Sequence, residues 1–197
     1  MDLELGGRSV LVTGGSKGIG LAIAKAFASE GCRLRLVARS GNQLEQAAAL
    51  IREAHPVEVR TSALDLSDAA ARDRFVAGCG ETDILVNNAG SSANAGLMAL
   101  TRALGSTSVD AGVRVVGVNP GPVDSDRLES LVKRRAKSRF GDENRWREIY
   151  GNMPFGRPAT PEEIAATVVF LGSDLSSYTS GAIFTVDGGL AARSATP

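Results

Sequence analysis

A glycine-rich stretch near the start of the chain has residue types and spacing suited to binding phosphate groups. It lies between a short apolar run and a segment with helical spacing, and it reads Thr13-Gly14-Gly15-Ser16-Lys17-Gly18-Ile19-Gly20. Glycine lets a ligand approach the main chain closely, and a helix N-terminus presents free amides and a partial positive charge. The main-chain amides of residues 14–20 are therefore predicted to receive a diphosphate. The predicted dinucleotide-binding residues of this turn are Gly14, Ser16, Lys17, Gly18, Ile19 and Gly20.

The end of the second predicted strand indicates which dinucleotide is bound. An NAD-specific site places an acidic residue there to hold the ribose hydroxyls, but this strand ends Val37-Ala38-Arg39-Ser40. The cations of Arg39 and Lys17 are suited to a 2′-phosphate. The sequence therefore favours NADP(H) over NAD(H), the alternative being that both cations are simply solvated.

The elements that must position this turn alternate between strand and helix along the chain. The predicted strands cover residues 9–13, 33–38, 57–63, 83–86, 113–118 and 182–186. The predicted helices cover residues 19–29, 44–53, about 68–77, 93–104, about 125–139, a short stretch around Trp146, and 161–171. Such alternation predicts an α/β fold with a parallel sheet covered by helices on both faces. A length of 197 residues predicts one domain over residues 1–197.

The charge balance and residue composition limit which classes of partner we expect. The 22 basic residues balance the 22 acidic residues, whereas nucleic acids and anionic membranes select a basic excess. We therefore expect a small-molecule ligand, with neither nucleic acid nor membrane as partner. The acidic start of the chain does not resemble a signal peptide, which favours a cytoplasmic protein. Two distant cysteines and a single histidine predict no metal site.

Further motifs resemble the short-chain dehydrogenase/reductase family. Asp65-Leu66 resembles the pair that contacts adenine, Asn87-Asn88-Ala89-Gly90 resembles the motif after the fourth strand, and Asn119-Pro120-Gly121-Pro122-Val123 resembles the stretch beside the nicotinamide. The resemblance implies a doubly wound Rossmann-type sheet and hydride transfer between a nicotinamide and a carbonyl or alcohol substrate. It also implies a homodimer or homotetramer. The cofactor-binding residues that it adds to the turn and Arg39 are Asp65, Leu66, Asn87, Ala89, Gly90, Pro120, Gly121 and Val123.

The catalytic residues of that family have no counterpart in this sequence. The family uses a tyrosine, a lysine four residues later and a serine, because an adjacent cation must lower the phenol pKa. Here Tyr150 is followed four places later by Pro154, and Tyr178 by Ala182. The expected tyrosine position holds Gly90 and the expected lysine position holds Asn94, so the catalytic residues are left unassigned.

A whole segment is also missing near residues 90–91, where the family has two helices and a strand that carries the serine. In one explanation the natural polypeptide contains that segment, and the protein is an NADP-dependent enzyme. In the other the segment is truly deleted, strand 113–118 pairs directly with strand 83–86, and the protein binds nucleotide without turnover. The first explanation is favoured, because a deletion would expose buried apolar surface.

Residues of about 125–155 resemble the part of the family that covers the substrate. This predicted lid is rich in basic and aromatic residues, namely Lys133, Arg134, Arg135, Lys137, Arg139, Trp146, Tyr150 and Phe155. A cationic lid would suit an acidic substrate, but a charged helical face is more often simply solvated. The substrate therefore remains unassigned.

Overall fold

The computed structural model describes residues 2–89 and 95–193. Their contacts divide them into two compact units. The first unit falls within residues 1–93 and 165–178, and the second within residues 94–164 and 179–197. Each unit is built from strands and helices that alternate along the chain.

The first unit contains a four-stranded parallel sheet in the order β3-β2-β1-β4. Its elements in chain order are β1 (Ser9–Thr13), α1 (Gly18–Ser29), β2 (Arg33–Ala38), α2 (Gly41–Ala54), β3 (Val59–Ala63), α3 (Ala69–Ala77) and β4 (Ile84–Val86). In register, Val12 of β1 lies beside Leu36 of β2 and Val86 of β4. The carboxyl ends of β1, β2 and β4 therefore share one edge of the sheet, where α1 begins.

The core of the first unit lies between this sheet and its helices. Val10, Val12 and Leu36 of the central strands are fully buried, as is Phe27 of α1. On α2 the buried positions are Leu44, Ala47, Ala48 and Ile51, a spacing of three and four residues that places them on one helical face. The β1–α1–β2 unit is thereby held rigidly.

The second unit contains a two-stranded parallel sheet, in which Gly117 pairs with Ile183 and Pro120 with Val186. Its main elements are α4 (Ala95–Thr107), β5 (Gly117–Pro120), α5 (Asp126–Phe140), a 3₁₀ segment (Glu143–Asn152) and β6 (Ile183–Val186). The helix α6 (Pro161–Gly172) begins in this unit and ends in the first. Shorter 3₁₀ turns cover Ser108–Ala111, Pro154–Gly156, Asp174–Ser176 and Leu190–Ala192.

The predicted α/β class, with parallel strands flanked by helices, is confirmed. The predicted strand 113–118 is wrong in its bounds, because β5 begins only at Gly117. Val115 instead accepts a hydrogen bond from the amide of Gly181 at 2.8 Å, and its own amide donates to Ser180 Oγ at 3.3 Å. Gly181 has a positive φ of 70°, so the backbone turns there, and the regular ladder starts only after this turn.

The alternative in which this strand pairs directly with β4 is also wrong. The described strands form two separate sheets, and β4 and β5 belong to different ones. Within the described residues β4 has a single hydrogen-bonded neighbour, β1. Leu85, at the centre of β4, is 62% exposed.

Across the described residues, the structure contains no helix long and apolar enough to cross a membrane.

Candidate nucleotide-binding site

The glycine turn connects the end of β1 to the start of α1. Gly14 and Gly18 have positive φ angles of 68° and 56°, which side chains other than glycine rarely adopt. The amides of Gly14 and Gly15 donate to the Val37 carbonyl at 2.7 and 3.3 Å. These two amides are therefore used inside the protein, and the prediction that all amides of residues 14–20 face a diphosphate is wrong for them.

The amides at the start of α1 are differently placed. Lys17 precedes the helix in an extended conformation, and its side chain makes no capping hydrogen bond. No acceptor in the described part of the chain takes the amides of Gly18, Ile19 or Gly20. A helix N-terminus with open amides attracts anions, because the amide dipoles point outward together. Three adjacent donors therefore lack an acceptor within the described residues, and Gly18 is exposed, Ile19 half-buried and Gly20 buried.

Gly20 lets the helix begin in direct contact with the turn. A Cβ atom added at Gly20 would lie 2.2 Å from the Gly14 carbonyl oxygen and 2.6 Å from Asn88 Nδ2. Both distances are far below van der Waals contact, and the carbonyl is main chain that cannot rotate away. Glycine is thus required at this position by packing, in addition to any ligand.

A set of hydrogen bonds between Thr13, Asn88 and Ala89, which we call the Thr13–Asn88 clip, fixes the turn to the end of β4. The hydroxyl of Thr13 accepts from the amides of Asn88 and Ala89 at 2.9 and 3.0 Å. Asn88 Nδ2 in turn donates to the carbonyl oxygens of Thr13 at 3.1 Å and Gly14 at 3.4 Å. Sequence reasoning assigned no role to Thr13 or Asn88, although both stand within the quoted motifs.

The other predicted residues of the first unit lie after the carboxyl ends of β2, β3 and β4. Arg39 is exposed, Asp65 is exposed and Leu66 is half-buried. Asp65 accepts from the amide and hydroxyl of Ser67 at 2.9 and 2.8 Å. These bonds, with a smaller contribution from the Arg39 charge, hold the pKa of Asp65 below its usual value. Arg39 is therefore close enough to Asp65 for their charges to interact.

The Asn87–Gly90 motif is partly described. Asn87 Oδ1 lies 3.3 Å from the hydroxyl of Thr13, and Ala89 belongs to the Thr13–Asn88 clip. Gly90 lies outside the described residues, as does Asn94. The structure thus brings Gly14, Asn87 and Ala89 together at one edge of the first sheet.

In the second unit, Pro120, Gly121 and Val123 follow the carboxyl end of β5. The amide of Gly121 donates to the Val186 carbonyl at 2.9 Å, and a Cβ at Gly121 would lie 2.7 Å from Asp187 Cβ. Val123 is buried and bridges to Ala159 in a parallel arrangement. The backbone of this stretch is therefore tightly held.

A cleft of about 310 Å³ opens beside this stretch. Its lining is mainly apolar and consists of Pro122, Pro154, Phe155, Arg157, Ala159, Glu163, Val186, Asp187 and Gly188. At the cleft Arg157 binds both carboxylate oxygens of Glu163, at 2.7 and 2.8 Å. Hydrogen bonds from Arg157 and from the Thr160 amide lower the pKa of Glu163 to about 2. The sequence predicted Thr160 and Glu163 as the start of a helix but missed the pairing with Arg157.

Neither tyrosine has the surroundings of a proton-transfer residue. Tyr178 is fully exposed. Tyr150 lies in the 3₁₀ segment, and its hydroxyl is buried without a hydrogen-bond partner in the described residues. Burial, with smaller contributions from Asp124 and Glu129, raises the pKa of Tyr150. A phenol that must ionise near neutral pH needs the opposite shift.

Comparison with protein families identifies two matching models. The model for short chain dehydrogenase matches residues 8–96, and the model for enoyl-(acyl carrier protein) reductase matches residues 91–191. The two matches meet at residues 91–96 and together cover nearly the whole chain.

Individual relatives agree with the family models. D-Threitol dehydrogenase of Mycolicibacterium smegmatis is 30% identical over 250 residues, covering 95% of this chain and 94% of that protein. L-Sorbose reductase of Gluconobacter frateurii, solved with NADPH and L-sorbose, is 27% identical with a TM-score of 0.85, covering 96% of this chain and 98% of that chain. An NADPH-bound short chain oxidoreductase of Pseudomonas aeruginosa PAO1 with an atypical catalytic center is 26% identical with a TM-score of 0.82. The match covers 95% of this chain and 98% of that chain.

The length of these alignments indicates residues that the relatives contain and this chain lacks. The alignment with D-threitol dehydrogenase spans 250 residues, although this chain has only 197. Since nearly all of both proteins is covered, the relative contains internal residues that have no counterpart here.

Proposed function

This chain belongs to the short chain dehydrogenase family, and from that membership and the geometry of its glycine turn we infer that it binds NADP(H). We propose that it serves as an oxidoreductase that transfers hydride between the nicotinamide and a small carbonyl or alcohol substrate. The observation that carries this proposal is the row of open amides at Gly18, Ile19 and Gly20. A diphosphate accepts hydrogen bonds from such donors.

Different residues of the chain would bind different parts of the dinucleotide. The amides of α1 would bind the diphosphate, Asp65 and Leu66 would contact the adenine, and Asn87 and Ala89 would line the path between them. Pro120, Gly121 and Val123 would lie against the nicotinamide, which supplies or accepts the hydride when bound. The lid of residues 125–155 would cover the substrate.

The preference for the phosphorylated cofactor rests on charge. Arg39 and Lys17 are exposed cations near the turn, and no acidic residue ends β2 to hold a ribose diol. The L-sorbose reductase and the Pseudomonas oxidoreductase were both solved with NADPH, which supports the same choice. Asp65 lies near Arg39 and would compete with a 2′-phosphate, so the preference requires a direct measurement.

A second candidate function is nucleotide binding without turnover. It is favoured by the missing Tyr-x-x-x-Lys sequence and by the internal residues of the relatives that this chain lacks. We place the missing residues near 90–91, beside the overlap of the two family models at residues 91–96. In this case the glycine turn would still bind NADP(H), but no side chain would exchange a proton with a substrate.

Titration with NADPH and NADH tests the cofactor assignment. We expect NADPH to bind more tightly, and Arg39→Ala to weaken NADPH binding at least tenfold while leaving NADH binding unchanged, since only NADPH carries the 2′-phosphate. Arg60→Ala, which removes an exposed arginine from the adjacent strand β3, is the matched control and should leave both affinities unchanged. Equal affinities that Arg39→Ala does not alter would refute the assignment.

An intact-mass measurement and a turnover assay distinguish the two candidate functions. An intact mass clearly above the 20.4 kDa of this sequence, together with oxidation of NADPH by a carbonyl compound, would establish the enzyme. A mass of 20.4 kDa with NADPH binding but no hydride transfer would establish the second candidate.

A further inference from the structure

Residues 127–139 of α5 carry an unusual concentration of positive charge. Residues 127–139 contain six basic residues and one acidic residue, whereas the whole chain has a formal net charge of zero. The rest of the chain therefore holds five more acidic than basic residues. Charge on this protein is thus strongly asymmetric, although its total is balanced.

Helix geometry places several of these basic residues along one side of α5. α5 buries Val132 and Ala136, which pack against Ile149 of the 3₁₀ segment. With 3.6 residues per turn, the side of α5 away from this buried face presents Arg127, Ser130, Leu131, Arg134, Lys137 and Ser138. We call Arg127, Leu131, Arg134 and Lys137 on this side the basic stripe. All four residues are exposed, and Leu131 is 47% exposed.

The charges of the basic stripe are not neutralised by their own surroundings. Glu129, the acidic residue within the segment, pairs with Lys133 at 2.6 Å. Among the described residues, Arg127, Arg134 and Lys137 form no ion pair. Like charges three residues apart on a helix repel each other, so an external anion would stabilise this face.

Aromatic residues at the end of α5 and in the 3₁₀ segment contact two further cations. Arg147 stacks over Trp146 at 4.3 Å from the ring centroid, and Arg139 lies 5.3 Å from the centroid of Phe140. Such stacking fixes a guanidinium in place while leaving its edge free to donate hydrogen bonds.

From these observations we propose that the basic stripe is a docking surface for an acidic protein partner. Charge complementarity identifies the partner as acidic, and the exposed Leu131 within the stripe offers an apolar contact that a protein surface can match. A helix of 15 residues is about 22 Å long, which suits one compact contact. A long polyanion, such as nucleic acid or an anionic membrane, would also meet the acidic excess on the rest of the chain. The proposal does not depend on nucleotide binding.

The probe that tests this surface is a labelled 20-residue helical peptide with glutamates along one face and a leucine among them. We expect its fluorescence anisotropy to report binding to the full chain, weakening as salt is raised. The same peptide with glutamine in place of glutamate should bind at least tenfold more weakly. Equal binding of the two peptides would overturn the proposal.

Charge reversal on the chain locates the surface. The double variant Arg134→Glu/Lys137→Glu should weaken binding of the acidic peptide at least tenfold, and Leu131→Ser should weaken it severalfold. Lys25→Glu/Arg72→Glu, which makes the same charge change at exposed positions of α1 and α3, should change it less than twofold. Unchanged circular dichroism and thermal unfolding would show that the stripe variants remain folded.

Competing ligands decide between classes of partner. A 20-base-pair DNA duplex and phosphatidylserine vesicles should bind more weakly than the acidic peptide. Tighter binding of either one, or equal loss of peptide binding in the control variant, would contradict a protein docking surface.

Discussion

Two neighbouring strands of the first unit, β1 and β4, have similar apolar sequences but very different surroundings. β1 lies between β2 and β4, and its Val10 and Val12 are fully buried. In the described residues β4 pairs with β1 alone, and its central Leu85 is 62% exposed. The difference shows that burial of a strand depends on neighbours along both of its edges, which the strand's own sequence does not encode.

The helices beside these strands differ in the same way. α1, which connects β1 to β2, buries six residues including Phe27. α3, which precedes β4, contains no buried residue, and its Val76 is 65% exposed. Within the described residues, the region around β1 therefore has a packed core, whereas the region around β4 has exposed apolar side chains.

Substitutions of large apolar residues in the two regions test this contrast most strongly. Phe27→Ala leaves a cavity beneath α1 and should reduce the free energy of unfolding by about 3–5 kcal/mol. Leu85→Ser removes an exposed side chain and should change it by about 0.5 kcal/mol or less. Urea denaturation of both variants measures these values. A Leu85→Ser loss near that of Phe27→Ala would mean that β4 is covered in solution.

A smaller loss of stability is expected for a substitution in the Thr13–Asn88 clip, which joins the ends of β1 and β4. Thr13→Val keeps the side-chain volume but leaves the amides of Asn88 and Ala89 without an acceptor, which should cost about 1–3 kcal/mol of stability. NADPH affinity should fall as well, because the turn is no longer fixed. Thr13→Ser retains the hydroxyl and is the control. A variant with wild-type stability and affinity would show that the clip does not position the turn.

The smallest effect on stability is expected in the second unit, at the exposed ion pair of Arg157 and Glu163. The pKa of Glu163 is lowered to about 2 in the folded protein, below its ordinary 4.5. Since the unfolded chain binds this proton first as pH falls, the pair's contribution is complete above pH 4.5 and is lost toward pH 2. Glu163→Gln should therefore lower the melting temperature at pH 7 but not at pH 2. Thermal unfolding measures both, and an equal loss at the two pH values would contradict this assignment.

The sequence predicted most of the first unit, because its strands and helices carry strong periodicity and capping residues. The bounds of β1 and β2 are those predicted. The helix predicted from about residue 68 begins after Asp68, whose carboxylate accepts from the Ala71 amide. The start of β5 was predicted four residues early. Val113, Val115 and Val116 are apolar and β-branched, as in a strand. However, the amide of Val113 donates to the Ser108 carbonyl, and Val115 bonds to the turn at residues 180–181, which lies far away in sequence.

For the candidate site, the sequence identified the glycine turn but not how its amides are used. The bonds of Gly14 and Gly15 to Val37 come from the register of β1 with β2, which a motif does not contain. Likewise, the roles of Thr13 and Asn88 arise from contacts between residues 75 positions apart. Local patterns could name the residues at this edge of the sheet, but only the three-dimensional structure shows which groups remain open.

The long separation within the Thr13–Asn88 clip also has a consequence for biosynthesis. A chain emerging from the ribosome makes β1, the glycine turn and α1 early, yet the groups that fix the turn arrive only with residues 88 and 89. Contacts so distant in sequence are slow to form. The nascent chain must therefore leave its glycine turn without these hydrogen bonds until residues 88 and 89 have emerged.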